Sequence, residues 1–595
     1  MTSLAPKVLI HGKTENAIRI RKGNSKSPLK SSSNSNEKIK SGSQIRSRNE
    51  YSSTILSEKF SEEQPEITQM AQEIFEAKSK DLQIYPQAEL EKRFVQQFSS
   101  NYFSRKLALQ ETKLGDETSL VLSKLLLTHK AFAHINLSKN KIGDANLSRI
   151  IRSLMSNLNL VSLDLSSTEL SPSGCSIILS LLSSHRSLYS LDLSSHQFLY
   201  RNKIGSSDSL TYLLKSETLA FLNLSGTALG NEGLKHLLLG LENNKVLQYL
   251  NLGFNYIKGG VVKDFVQVLV TTSVGELILT GNQIEEVASE EIAYFLAGHY
   301  GYGVITKLSL ASNLITYSSA YKLFDSMIKE NYLLSLSLEN NNLSGYLDII
   351  ERFLLYNNRL KTLNLSNCFL KTETFVQLCA GLSKNQSLEY LILSHNYCRD
   401  TGAAAMSKVL KKNKFLLKLD LANNKISSSG GVALANSLKS NSSLRYLNLS
   451  DNELKDEVGE AFLYIFGSNY TLSALLLHLN PMSAKYPLDI KKYLERNKVL
   501  EEKKQMSKIM ENKTKKPKVP LSASEIEERV QKNLKEKKIL EKKIGAYMKK
   551  ITGIKKGVDE KLDEMQETVK ELKGKNVELS KTLNDYLFEF KVFCI

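Results

Sequence analysis

Residues 444–471 read LRYLNLSDNELKDEVGEAFLYIFGSNYT, and how that stretch is parsed decides the fold. An alternating phrase, LxxLxLxxNxL, runs into an amphipathic stretch with apolar residues at helical spacing. The same pattern recurs from about Arg105 to Asn480. Taking the second leucine of each LxL as a marker, fourteen units run from Leu109 to Leu477, with neighbouring markers 27, 28 or 31 residues apart. Such a register makes the chain a stack of equivalent short units, each too small to bury a core alone.

Each unit divides in two. At Leu160–Leu165 the inward residues are Leu160, Leu163 and Leu165, while Ser162 and Asp164 point the other way, as on a short strand. In GDANLSRIIRSLMSNL (143–158), Leu147, Ile150, Ile151 and Leu154 share one helical face. Strand and helix alternate, so the strands of successive units should lie parallel with the helices outside, an α/β solenoid. Three residues after the marker stands Asn in nine units (Asn140, Asn255, Asn282, Asn313, Asn341, Asn396, Asn424, Asn452, Asn480) and Thr112, Thr168, Thr227 or Cys368 in four more. A short polar side chain there is expected to bond the backbone of the tight turn leaving the strand.

The 28-residue period, the phrase LxxLxLxxNxI followed by a pair such as Gly-Asp, and full-length helices resemble the ribonuclease-inhibitor-like class of leucine-rich repeats, over roughly residues 105–500. The resemblance implies a horseshoe with parallel strands on its concave wall and helices on its convex wall. Members of the class include inhibitors, GTPase activators, immune sensors and ciliary scaffolds, so the class leaves function open.

Two departures from the repeat stand out. RNKIG (201–205) echoes KNKIG (139–143), but Asn202 lies nine residues past its marker where Asn140 lies three, which predicts an aromatic insertion bulging at that strand exit. HYGYG (299–303) lengthens another unit. Insertions in repeat arrays form loops, serving either as binding faces or as neutral surface.

The ends differ from the middle. The net charge is +18. Residues 1–50 carry 11 Lys and Arg against 3 Asp and Glu, and residues 485–595 carry 29 against 19, so 80−11−29 leaves 40 basic and 62−3−19 leaves 40 acidic residues between them. Residues 1–60 are rich in Ser, Lys and Asn and are expected to be disordered. Their cluster Arg19, Arg21, Lys22, Lys26, Lys30 is either merely solvated or a contact for an acidic surface such as a microtubule, nucleic acid or lipid headgroup; Ser27 before Pro28 is a candidate phosphorylation site. Residues 61–104 read as a helical cap broken at Tyr85-Pro86, with Phe94, Val95 and Phe98 on one face.

Beyond the last unit a polar helix should close the far edge, followed by a Lys/Pro linker (501–521) and a coiled coil (522–595). Val558, Leu562, Met565, Val569, Leu572, Asn576, Leu579, Leu583, Tyr586 and Phe590 are spaced alternately by four and three, with Asn576 at an a position that would fix register and oligomeric state. The alternative is a helix folding back on the solenoid.

Cys175, Cys368, Cys379, Cys398 and Cys594 are too few and irregular for a disulfide framework. No signal peptide or membrane span is expected, and the Asn-x-Ser/Thr matches at Asn136, Asn223, Asn364 and Asn448 are by-products of the LNLS phrase; the reading is intracellular and cytoplasmic. Phosphate-loop, dinucleotide, nucleophile-elbow and zincin motifs are all missing. His395-x-x-Cys398 has ligand-like spacing without a complementary pair, and Asp164, Asp192 and Asp420 read as ordinary wall residues. No catalytic, cofactor-binding or metal site is expected.

What the repeat supplies is a wall about 60 Å long, from thirteen gaps of ~4.8 Å. Just before the first leucine of LxL stand Phe221, Tyr249, Tyr390 and Tyr446, with Glu276, Lys307 and Lys418 among them; Phe254 lies at a strand exit. Aromatic anchors among small polar residues suit a protein-binding patch on the concave face. The expectation is a non-enzymatic scaffold whose coiled coil pairs through 558–590 with itself or another helix, while the basic tails reach an acidic surface. Solenoid plus coiled coil looks like cytoskeletal, ciliary or centrosomal leucine-rich proteins, including the leucine-rich subunit of the nexin-dynein regulatory complex. The rival is a Ran-type GTPase activator. That family's acidic carboxy-terminal run is replaced here by a basic one, and no rim arginine matches a specific motif. A third reading is nucleic-acid binding by the tails.

Overall fold

The computed structural model describes residues 50–196, 207–301, 303–328, 332–345 and 348–514. The expected amino-terminal tail up to residue 49, Ser27, the insertion at 197–206, Tyr302 and the coiled coil with Asn576 lie outside them. The chain divides into two compact units, 1–170 and 171–595.

The first unit runs α1 (Glu50–Asp81), α2 (Ala88–Phe103), β1 (Lys106–Ala108), α3 (Asp116–Thr128), β2 (His134–Asn136), α4 (Asp144–Leu154) and β3 (Ser162–Asp164). Its three strands pair in parallel and in chain order. The amino-terminal helices meet the first repeat through rings, with Phe98 and Tyr102 lying 6.2 and 5.4 Å from Phe132. Asp81 adds a polar clasp. Its carboxylate accepts the backbone N–H groups of Gly115, Glu117 and Thr118 at 2.9–3.0 Å, supplying the cap that α3 lacks from its own sequence.

The second unit opens with α5 (Pro172–Ser183), β4 (Ser190–Asp192), α6 (Ser207–Leu214), β5 (Phe221–Asn223), α7 (Gly230–Leu241), β6 (Tyr249–Asn251) and α8 (Val261–Leu269). It continues with β7 (Glu276–Ile278), α9 (Glu286–Leu296), β8 (Lys307–Ser309), α10 (Tyr317–Ser326), β9 (Ser335–Ser337), α11 (Ile349–Tyr356) and β10 (Thr362–Asn364). It ends with α12 (Thr372–Leu382), β11 (Tyr390–Ile392), α13 (Arg399–Lys412), β12 (Lys418–Asp420), α14 (Ser428–Ser437), β13 (Tyr446–Asn448), α15 (Asp456–Ile465), β14 (Ala474–Leu476) and α16 (Lys485–Thr514). Strands β4 to β14 are parallel in sequence order. The fold is an α/β leucine-rich repeat solenoid.

The middle residue of each strand is buried, as are the markers, so the alternation read from the sequence places the leucines inward. Asn424 shows how the turn is held. Its amide donates to the Leu393 and Ala422 carbonyls at 2.9 and 3.0 Å, and its oxygen accepts the Cys398 N–H at 3.1 Å. One side chain thus serves two neighbouring repeats, which a water molecule in that buried place would otherwise have to do. Thr168 and Cys368 approximate the bond where Asn is absent. In the unit marked by Leu193 the place is taken by buried His196, whose Nδ1 lies 3.0 Å from the Leu193 and Ser194 carbonyls.

A second ladder escaped the sequence reading. Asn357, Asn385, Asn413, Asn441 and Asn469, in the segments between a helix end and the next strand, and Asn497 on α16, each 28 residues apart, are buried and donate to carbonyls of the preceding repeat: Asn385 to Leu354 O at 2.7 Å, Asn441 to Leu410 O at 2.7 Å. Two boundaries also differ from expectation. The backbone is helical from Glu50, within the expected tail, and α16 continues to Thr514, through the first part of the expected linker. The second follows from composition: Glu and Lys favour a helix, and after Pro487, in the first turn of α16 where proline is tolerated, no proline occurs until Pro517. Arg496 ties α16 to the last repeat, donating to Phe466 O and Asn469 O at 2.9 Å between the rings of Tyr470 and Tyr493.

Candidate protein-binding wall

Because the middle residue of each strand points into the core, its first and third residues face solvent. Parallel register then aligns the first residues in one row along the second unit: Ser190, Phe221, Tyr249, Glu276, Lys307, Ser335, Thr362, Tyr390, Lys418, Tyr446 and Ala474. The row gathers seven of the eight residues singled out from the sequence, all but Phe254.

They form two clusters. Phe221 and Tyr249 stack with centroids 5.5 Å apart, and Tyr189 extends the stack, 5.3 Å from Phe221. Tyr189 was missed because it precedes its strand by one residue. Only the pairing of β4 with β5 brings it beside Phe221. On β11–β13 the arrangement is Tyr390, Lys418, Tyr446, with the Lys418 ammonium 4.6 Å from the Tyr446 ring centroid. Between the clusters Lys307 is committed to Glu276 at 2.9 Å. Burial, then the Glu276 charge, raises the Tyr249 phenol above its ordinary range; burial, then Asp420, does the same for Tyr446. Both stay neutral hydrogen-bonding groups at physiological pH.

Phe254 stands apart, in the turn leaving β6. All fourteen units place a left-handed residue two after the marker, and here it is Phe254, with φ 55° and 59 % exposure. A bulky side chain in that conformation costs about 1 kcal/mol or more. Its ring lies over Gly281, where a Cβ would come within 2.3 Å of it.

Most third strand residues are polar and several are internally engaged; Ala108, Ile278, Ile392 and Leu476 are the apolar exceptions. Asp192 accepts Ser194 N–H and Oγ–H at 2.8 and 2.7 Å on one oxygen and the Asn223 amide at 2.8 Å on the other; Asp420 accepts Ala422 N–H and the Asn448 amide at 3.0 Å. Asp164 accepts Ser166. These carboxylates brace the strand exits. His395 is exposed while Cys398 is buried, and burial pushes the Cys398 thiol well up from its ordinary value. Among the described residues no group of three or more His, Cys, Asp or Glu is placed to hold a metal, and no helix is long and apolar enough to cross a membrane.

This geometry defines a repeat solenoid with an open, aromatic-bearing wall. Residues 156–178, 215–238, 412–435 and 440–463 match a family described as Leucine Rich repeat. Ribonuclease inhibitor of Mus musculus is 29% identical over 190 residues, covering 31% of this chain and 41% of the inhibitor, so the chain spans about two-fifths of that relative's length. Among solved structures, the leiomodin-1 actin-binding site 2 is 21% identical, covering 28% of this chain and 97% of that one with a TM-score of 0.26. The yeast Rad7 and Elc1 complex is 17% identical, covering 74% and 96% with a TM-score of 0.38.

Proposed function

We propose that this protein is a non-enzymatic scaffold that holds a partner protein against the strand wall of its second unit. The observation that carries the reading is the row of first-strand residues, where five aromatic side chains, including Tyr189 beside it, stand exposed or half-exposed in two clusters, on β4–β6 and on β11 and β13. Rigid rings bury large area at low entropic cost, and the ladders beneath fix their spacing. The repeat match and the similarity to ribonuclease inhibitor are consistent with such a role.

The heptads at 558–590 supply the second half of the proposal, a coiled coil that sets the held partner on a larger assembly. The basic ends add attraction to an acidic filament. The combination supports a cytoplasmic tether on a cytoskeletal or axonemal structure, by its resemblance to leucine-rich proteins of those assemblies. Proximity labelling with the tagged full chain tests both halves. Phe221→Ala/Tyr249→Ala and Tyr390→Ala/Tyr446→Ala should lose a labelled partner while keeping placement; deletion of 522–595 should lose placement while keeping the partner. Marked acceleration of GTP hydrolysis by Ran or a relative would overturn the non-enzymatic reading.

A further inference from the structure

We propose that the edge where α12, α13 and α14 end is a docking surface for an acidic polypeptide segment, continuous with the Tyr390–Lys418–Tyr446 cluster; it rests on the protein-binding reading of that wall. Lys384 follows α12, Lys411 and Lys412 close α13, and Lys439 follows α14. The 28-residue register sets Lys384 beside Lys412 and Lys411 beside Lys439 on neighbouring repeats. Lys408 stands one turn earlier on α13 and Lys414 in the loop beyond it. All six are exposed, and none of them joins an ion pair among the described residues. Lys414 donates to the Ser440 carbonyl at 3.4 Å, and Lys439 lies 5.2 Å from the Tyr464 ring.

A helix carboxy-terminus favours any cation, but that does not explain why the lysines gather on three successive repeats. Helix α11 ends at Tyr356 before Asn357, α15 at Ile465 before Phe466, and α7 gives way to Glu242. From Lys412 the chain passes Lys414 and exposed Phe415 to reach Lys418 at the start of β12, so cationic edge and aromatic cluster form one surface. A segment with a few carboxylates followed by an apolar residue meets both parts. A nucleic acid fits less well. The Lys418 ammonium already covers one face of Tyr446, and Asp420 at the end of β12 and Asp451 in the turn leaving β13 lie further along, where a phosphate chain would run against them.

The test uses the full chain and a synthetic glutamate-rich peptide ending in leucine and a benzophenone photo-crosslinker, with oligouridylate as competitor. Crosslinks should map to 384–446. Their yield should fall about tenfold in the Lys384→Ala/Lys411→Ala/Lys412→Ala/Lys414→Ala variant, as four exposed charge contacts imply. Crosslinks confined to the basic ends, unchanged yield in that variant, or displacement by oligouridylate at this edge would each overturn the proposal. If Tyr390→Ala/Tyr446→Ala lowers capture of the cellular partner while the lysine variant captures peptide like the parent chain, the edge fails and the wall stands; if neither variant loses its ligand, both fail.

Discussion

On β4–β6 the rings of Tyr189, Phe221 and Tyr249 stack on one another; on β11–β13 Tyr390 and Tyr446 flank a lysine, beside an edge carrying six more. Beneath both clusters the machinery is the same. Asn255 and Asn424 hold their turns from equivalent positions, and the strand leucines are equally buried. The repeat therefore fixes where side chains stand and leaves their chemistry free, and one wall carries an uncharged aromatic cluster at one place and a lysine-bearing one at another.

The largest effect should come from attacking what the clusters share. Asn255→Ala and Asn424→Ala each leave several buried backbone groups unpaired and should destabilise the second unit by about 3 kcal/mol or more, to a similar degree, as read by urea unfolding. Unequal costs would mean that the frame is not common to both regions. Next, Phe221→Ala and Tyr446→Ala should each weaken a captured partner by roughly 2 kcal/mol, about thirtyfold, with little change in stability. Titration of partner binding decides this, and loss from one cluster alone would place the partner there.

Salt should separate the two. Raising ionic strength from about 0.05 to about 0.5 M should weaken the contribution of the Tyr390–Lys418–Tyr446 region several-fold and leave that of the Phe221–Tyr249 stack almost unchanged. Equal responses would erase the distinction drawn from the lysines.

The smallest effect is one of pH. Seven residues past the marker, Asn231 accepts Lys258 N–H at 3.0 Å near the first cluster, whereas Asp400 accepts Ser427 N–H at 2.8 Å near the second. Partial burial pushes the Asp400 carboxyl up, but hydrogen bonds from Ser427, Ser429 and Gly430 outweigh it and hold the carboxyl below its ordinary value. Its stabilisation is therefore present above the unfolded aspartate value of about 3.9 and lost as pH falls through the lower folded value. Hydrogen exchange at pH 3 against pH 6 should show α14 loosening more than α8, and Asp400→Asn should remove the difference.

Periodicity made the solenoid legible, because a leucine at every marker and alternation around it leave one arrangement that buries them. The turn asparagines were legible for the same reason. Asn385 and its equivalents were not, although their 28-residue spacing stood in the sequence, because an Asn in a loop ordinarily reads as a solvated turn residue. Of the wall, Phe221, Tyr249, Tyr390, Lys418 and Tyr446 were found from position alone. Tyr189 needed strand pairing across a 31-residue unit, and the commitment of Lys307 to Glu276 needed coordinates. The lysine edge lies in a helix end and a loop, which repeat-position reasoning did not compare.

The most direct measurement is crosslinking mass spectrometry of the full chain with its cellular partner. Crosslinks should fall on the strand wall between residues 189 and 446 and disappear when Phe221, Tyr249, Tyr390 and Tyr446 are replaced together by alanine. Crosslinks that fall on the helical side and survive that replacement would contradict the account.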